Sequence, residues 1–143
     1  MLKGIHPLLS PDLLHALRSM GHGDEIAIVD ANFPAVTNAR RLIRLDGVEA
    51  PRAAQAILSV LPLDDFQPDA AFRMAITDDA DAIPPVVAEF EAVLAAAGYL
   101  RAIAPLERFA FYERAQTAFA IVVTGETRLW GNLLLKKGAL RPA

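Results

Sequence analysis

Three times in the sequence a proline opens a stretch of alanine, valine and leucine at helical spacing, and each stretch is followed by a short apolar run of strand length. This alternation constrains the fold more than any other feature, because strands separated by helices close into a largely parallel sheet covered on both faces. Ser10-Pro11-Asp12 starts the first helix: Ser10 can cap free amides, Pro11 suits the first turn and Asp12 complements the helix dipole. Leu13, Leu14 and Leu17 recur at helical spacing, and Gly21 is read as the left-handed residue that ends the helix. Residues 25–30 (EIAIVD) read as a strand, Asn32-Phe33-Pro34 as a loop, and residues 41–45 as a further strand. Pro51 opens a second helix through Ala53, Ala54, Ile57 and Leu58. Strands are expected at 70–76, 99–104, 119–124 and 132–135, a long helix from Pro84-Pro85 to Ala97 with Gly98 as its cap, and another helix over 107–117. The acidic run at 77–81 reads as a solvated turn, since its carboxylates lack the spacing and glycine of a calcium loop. The expected fold is α/β: a single compact domain over residues 1–143, with a mostly parallel sheet and helices on both faces.

Composition narrows the partners. Hydrophobic residues make up 54% of the chain, yet runs such as 119–123 are far shorter than the ~20 residues that cross a bilayer. The segment Met1–Pro7 has no continuous hydrophobic stretch, so no signal peptide is expected. Cysteine is absent, which removes disulfides, thiolate chemistry and cysteine-based zinc sites and is compatible with the cytoplasm. The net charge is −3 and the basic residues are scattered, so neither nucleic acid nor an anionic membrane is an expected partner. A small neutral substrate fits better. High hydrophobicity with low net charge also points to apolar surface covered by other subunits, or to a dense alanine-rich core.

Three local features go beyond fold class. In Gly21-His22-Gly23-Asp24 a histidine stands on permissive backbone, open to a ligand, with a side chain that titrates near neutrality. An ordinary loop histidine beside a helix cap is the commoner origin of such a pattern, and the residues alone leave both open. Asp30 ends an apolar strand, where ligand sites in parallel sheets form and a carboxylate can accept hydrogen bonds from hydroxyls; a turn-capping aspartate reads equally well. The third feature is the C-terminal set: Arg108 to Arg114, then Thr124-Gly125-Glu126, then Trp130-Gly131-Asn132. An arginine, an aromatic ring and an amide near strand ends suit a carbohydrate, the ring packing on C–H faces and the polar groups bonding to hydroxyls. Phe109 and Phe111 are read as core, and Tyr112, Glu113 and Arg114 as helix surface or subunit contact. A phosphate-binding glycine loop, a nucleophile elbow and an H-E-x-x-H pair are all missing, and His6, His15 and His22 are not spaced to share a metal.

These residues, in this order, resemble the L-fucose mutarotase branch of the D-ribose pyranase/L-fucose mutarotase (RbsD/FucU) family. The resemblance runs end to end. It is carried by Met1-Leu2-Lys3 with Pro7-Leu8-Leu9-Ser10-Pro11, by Met20-Gly21-His22-Gly23-Asp24-Glu25, and by Asp30-Ala31-Asn32-Phe33-Pro34-Ala35. RFAFYERAQ at 108–116, Thr124-Gly125-Glu126, Gly131-Asn132 and Leu135-Lys136-Lys137-Gly138 complete it. It implies a cytoplasmic isomerase of free sugars, independent of metal or cofactor, assembled as a homo-oligomer built from rings, a decamer in the family. It also implies that His22 is the proton donor, and that Asp30, Arg108 and the triplet Trp130-Gly131-Asn132 bind the sugar. Trp130 stands where the family usually has tyrosine, keeping a stacking face but no hydroxyl. A D-ribose pyranase and a non-catalytic sugar-binding protein are the alternatives; RFAFYERA and the LLKKG ending argue against the first.

The order of elements carries one further expectation. Asp30, Arg108, Trp130 and Asn132 gather at the carboxyl ends of strands, whereas His22 precedes the strand that Asp30 ends. A rise of ~3.3 Å per residue puts His22 and Asp30 roughly 20 Å apart. An acid must touch the atom it protonates. Either the segment folds back, or His22 enters a neighbouring subunit's pocket; the second is expected, since it also accounts for the apolar surface.

Overall fold

The computed structural model describes residues 1–143, with eleven elements in the order α1 (Pro11–Ser19), β1 (Glu25–Val29), α2 (Ala35–Asn38), β2 (Leu42–Leu45), α3 (Ala50–Leu58), β3 (Ala71–Met74), α4 (Pro85–Ala96), β4 (Ala104–Leu106), α5 (Arg108–Thr117), β5 (Ala120–Thr124) and β6 (Leu133–Lys136). The six strands form one sheet in the order β2-β5-β1-β6-β3-β4. Three pairings are parallel (β2 with β5, β5 with β1, β3 with β4), and β6 runs antiparallel to both its neighbours, β1 and β3. The sheet is thus mostly parallel but mixed. Because β6 is reversed, its beginning shares a sheet edge with the ends of β1, β5 and β3.

Alternate residues of each central strand feed separate cores, as the pleat requires. Ile26 and Ile28 of β1, Ala120 and Val122 of β5, and Leu133 and Leu135 of β6 pack with α1, α3 and α4, whose Leu13, Ile57, Phe90 and Leu94 are buried. Ala27, Val29, Ile121, Val123 and Leu134 face the other way, against Phe33, Ala35 of α2, and Phe111 and Ala115 of α5. With both faces covered, these strands read as continuous apolar runs, not alternating ones. Phe90 and Phe111 are fully buried, each contributing about 1.5–3 kcal/mol of transfer free energy.

The helix starts follow the sequence signals. Ser10 accepts from Leu13 N–H, with Pro11 in the first turn, and Gly98 closes α4 at φ +92°. Four details differ from the sequence reading. Gly21 is not left-handed; α1 ends at Met20, and the positive φ (+88°) falls on Gly23. The four-residue α2 goes unpredicted because it is too short to show a period. Residues 99–103 are not strand: Tyr99 is held by its side chain, its hydroxyl accepting from Ala70 N–H, and β4 begins only at Ala104. Phe109 is exposed rather than core, while Phe111 is core as read. The acidic residues 77–81 are solvated turn, and no group of three or more His, Asp or Glu side chains is close enough to ligate a metal.

Candidate active site

Asp30 leaves the end of β1 with its side chain buried. Asn132, at the start of antiparallel β6, reads both ends of it: Asn132 Oδ1 accepts from Asp30 N–H at 2.9 Å, and Asn132 Nδ2 donates to Asp30 Oδ2 at 2.9 Å. The other carboxylate oxygen, Oδ1, accepts from Asn32 N–H at 2.9 Å and sets the turn that follows. Burial raises the Asp30 pKa above its ordinary value, against the lowering effect of these bonds, with Glu126 adding to the rise. The Asp30 carboxylate faces a cavity, where it can accept from a ligand hydroxyl.

Together with Asn32, Phe33, Met74, Arg108, Tyr112, Leu129, Trp130 and Asn132, Asp30 lines a cavity of about 260 Å³. Arg108 opens α5, whose N-terminus is capped by Glu107 accepting from Phe109 and Ala110 N–H. Its Nε donates to the Tyr112 hydroxyl at 3.2 Å, one helical turn on, and the guanidinium lies 5.5 Å from the Tyr112 ring centroid. Trp130 reaches the cavity from a residue at φ +69°, a conformation L-residues rarely adopt.

Beneath Trp130 lies the reason this backbone holds. Glu126 is buried, and its carboxylate accepts from Ala50 N–H and from Arg128 through N–H, Nε and Nη2. Arg128 also pairs with Glu89 of α4. These donors hold the Glu126 carboxyl below its usual range. Glu126 O accepts from Ala31 N–H, tying this turn to the residue after Asp30. Gly131 does not line the cavity. A Cβ built there would sit 2.7 Å from Glu126 Cγ, so glycine is what lets the triplet lie on the buried carboxylate. Gly131→Ala is therefore expected to destabilise the fold by about 1–3 kcal/mol, as overpacking does, and to weaken sugar binding by shifting Trp130. Denaturant titration alongside a sugar titration checks this.

Of the six residues singled out in the sequence, four meet in this cavity: Asp30, Arg108, Trp130 and Asn132. Gly131 supports them. His22 is elsewhere. It precedes β1, at the edge where Glu25 pairs with Lys136, while Asp30 follows β1 at the opposite edge beside Asn132. There His22 Nε2 lies 3.0 Å from Asp64 Oδ1, with the Phe66 ring 5.0 Å from the imidazole. Sequence reading missed Tyr112, Phe33, Met74 and Asp64. Tyr112 was within reach, since a residue four after Arg108 shares its helix face; Asp64, 42 positions from His22, carried no local signal.

The model of the RbsD / FucU transport protein family matches residues 3–140. The chain belongs to the RbsD/FucU family. A fucose mutarotase of Homo sapiens is 49% identical over 145 residues, covering 97% of this chain and 94% of the relative. An L-fucose mutarotase of Histophilus somni is 41% identical, covering 96% of both. The crystal structure of a fucose mutarotase from Streptococcus pneumoniae in complex with L-fucose superposes with a TM-score of 0.92 at 42% identity, covering 98% of this chain and all of that one. The mixed six-stranded sheet is thus the RbsD/FucU fold, and the cavity at the ends of β1 and β3 is formed within a fold that takes a monosaccharide in that relative.

Proposed function

We propose that this protein is an L-fucose mutarotase, an isomerase that interconverts the α and β anomers of the free sugar by opening and reclosing the ring. The observation that carries the reading is the cavity itself. It is smaller than the ~300–1,000 Å³ of drug-sized ligand sites, and it presents one carboxylate, one amide, one guanidinium and aromatic faces together. That inventory suits a neutral pyranose: Asp30 and Asn132 for hydroxyls, Arg108 for hydroxyl oxygens, Trp130 for a C–H face. The identity to fucose mutarotases over nearly the whole chain supports L-fucose over D-ribose.

The chemistry needs a proton placed on the ring oxygen as the C1–O5 bond breaks, its electron pair going to O5, and a proton taken from the anomeric hydroxyl as C1=O forms. His22 supplies the first proton and takes it back on closure. Asp30 is the only carboxylate lining the cavity, and its raised proton affinity suits it to receive the second. An acid and base acting together give about 10²–10⁴-fold. Since His22 and Asp30 of one chain lie at opposite sheet edges, His22 acts in a neighbouring subunit's pocket. Phe109 and Leu129, exposed beside the cavity, and Phe66, exposed beside His22, are the apolar surface such a contact would cover. The assembly is a homo-oligomer, ring-based as the resemblance implies, and cytoplasmic, in keeping with a cysteine-free chain that acts on a free sugar.

Proton NMR saturation transfer between the anomers tests the activity. Exchange of L-fucose is expected to accelerate in proportion to protein, with pyranose–furanose exchange of D-ribose much less affected. Binding of L-fucose without acceleration would leave a sugar-binding protein and overturn the reading.

A further inference from the structure

Phe66 is a large apolar side chain that packs into neither hydrophobic core and stands 61% exposed. It is held in place all the same. Its backbone N–H donates to Asp64 Oδ1 at 3.1 Å, the oxygen that also meets His22 Nε2, and its ring centroid lies 5.0 Å from that of the imidazole at a 49° tilt. From the other side the Arg141 guanidinium lies 5.3 Å from the ring centroid, with Arg141 paired to both carboxylate oxygens of Asp65 at 2.6 and 3.1 Å. The backbone beneath is docked to the end of β6. Asp64 N–H donates to Lys136 O at 3.0 Å and Gly138 N–H to Pro62 O at 2.8 Å, while Gly23 N–H donates to Lys137 O at 2.9 Å on the histidine side. Contact there is so close that a Cβ on Gly138 would lie 2.4 Å from Leu63 O. Single exposed apolar residues are common on protein surfaces. This one has a fixed place beside the imidazole.

What such a ring meets follows from the atom that the acid serves. A group that protonates O5 stands within about 2.6–3.2 Å of it, so a ring flanking that group stands against one of the two carbons bonded to O5. C1 carries the anomeric hydroxyl, whose partner in the proposed reaction is the Asp30 carboxylate. C5 carries the substituent that sets a 6-deoxy-hexose apart, a methyl group. Asp30, Asn132 and Arg108 serve the hydroxyls from inside the cavity, whereas a phenyl ring has no donor or acceptor and suits the methyl. We propose that Phe66 is a specificity-determining residue: carried with His22 into the neighbouring subunit's pocket, its ring packs on the C5 methyl and selects a 6-deoxy-hexose over sugars with a hydroxymethyl group or a hydrogen at C5. This rests on the reading of His22 as the acid of that pocket. A hydroxymethyl group would press its hydroxyl against a ring that cannot pair with it, and a hydrogen would leave the ring face uncovered. The exposed area of Phe66 in the single chain is what sugar and neighbour together cover.

The test uses the intact protein and three sugars of one configuration at C2, C3 and C4: L-fucose with a methyl on C5, L-galactose with a hydroxymethyl and D-arabinose with a hydrogen. Saturation transfer between anomers gives kcat/KM for each. The wild type should favour L-fucose over either of the others by roughly 10–100-fold, within what one methylene or one unpaired hydroxyl changes in an apolar pocket. Phe66→Ala should bring L-fucose down towards D-arabinose, through KM more than through kcat, and Phe66→Leu, which keeps an apolar contact, should restore part of the preference. Melting temperature and assembly mass should match the wild type, since the ring belongs to neither core and the hydrogen bond to Asp64 comes from the backbone. An equal fall on all three sugars, or loss of the assembly, would make Phe66 a support for His22 or for the subunit contact and overturn the proposal. So would an unchanged preference in Phe66→Ala, or a wild type with none. His22→Gln should slow all three sugars alike; wild-type exchange in that variant would overturn the reading of His22 instead.

Discussion

His22→Gln is expected to lower L-fucose anomer exchange by about 10²–10⁴-fold, the share that general acid catalysis contributes, while leaving the melting temperature nearly unchanged. The imidazole is half-exposed and belongs to neither hydrophobic core; its one side-chain hydrogen bond is to Asp64, and glutamine can donate there too. Sugar binding should largely persist, because the groups that hold the hydroxyls, Asp30, Arg108, Trp130 and Asn132, all line the cavity within one chain and remain in place. Saturation-transfer rates and thermal melts on the same sample measure both. A folded variant exchanging at the wild-type rate would remove His22 from the chemistry.

Asp30→Asn is expected to be as damaging to exchange, for a reason that lies in its hydrogen bonds. Both oxygens of Asp30 already accept, one from Asn32 N–H and one from Asn132 Nδ2. An amide turns one of those acceptors into a donor, so either Asn32 or Asn132 faces another N–H and one bond is lost whichever way it turns. Losing a buried partner costs about 1–3 kcal/mol, and the carboxylate that handles the anomeric hydroxyl is gone as well. The wild-type pH profile should carry the same signature. Burial raises the pKa of Asp30, so the active carboxylate form is lost on the acid side at a higher pH than for an exposed aspartate. Exchange per enzyme should therefore fall as pH drops through that raised value. An acid limb at an unshifted carboxylate pKa, or full exchange in Asp30→Asn, would contradict this role.

Much of this was legible in the sequence because it is local. Ser10-Pro11 and Pro84-Pro85 are start signals whose physics lies within one helical turn, and residues 25–29 and 120–124 are short, β-branched apolar runs of strand length. Asp30, Arg108, Trp130 and Asn132 could be gathered at one edge because element order alone decides which strand ends meet. What escaped is non-local or too short. The reversal of β6 depends on pairing with β1 and β3, and no residue of Leu133–Lys136 encodes its direction. Phe109 and Phe111 have the same side chain two positions apart, and only the orientation of α5 decides that one is buried and the other 64% exposed. Nothing local marks Glu126 as structural; its role appears only when Arg128, Ala50 and Gly131 close around it. The Asp64–His22 pair depends on both segments docking to the end of β6.

That one subunit's pocket is completed by another's histidine is the claim on which the rest turns, and mixed oligomers test it most directly. His22→Gln and Asp30→Asn subunits, each inactive alone, would be co-expressed with different tags and purified through both. A His22→Gln subunit keeps the Asp30 pocket, and an Asp30→Asn subunit keeps the histidine. Where they meet in the right order one site is whole, so random mixing should restore about a quarter of wild-type exchange in a homo-oligomer with one such contact per site. If His22 and Asp30 worked within one chain, no mixture could contain an intact site. Mixed oligomers as inactive as their parents, or full wild-type activity in a demonstrably monomeric sample, would contradict the account.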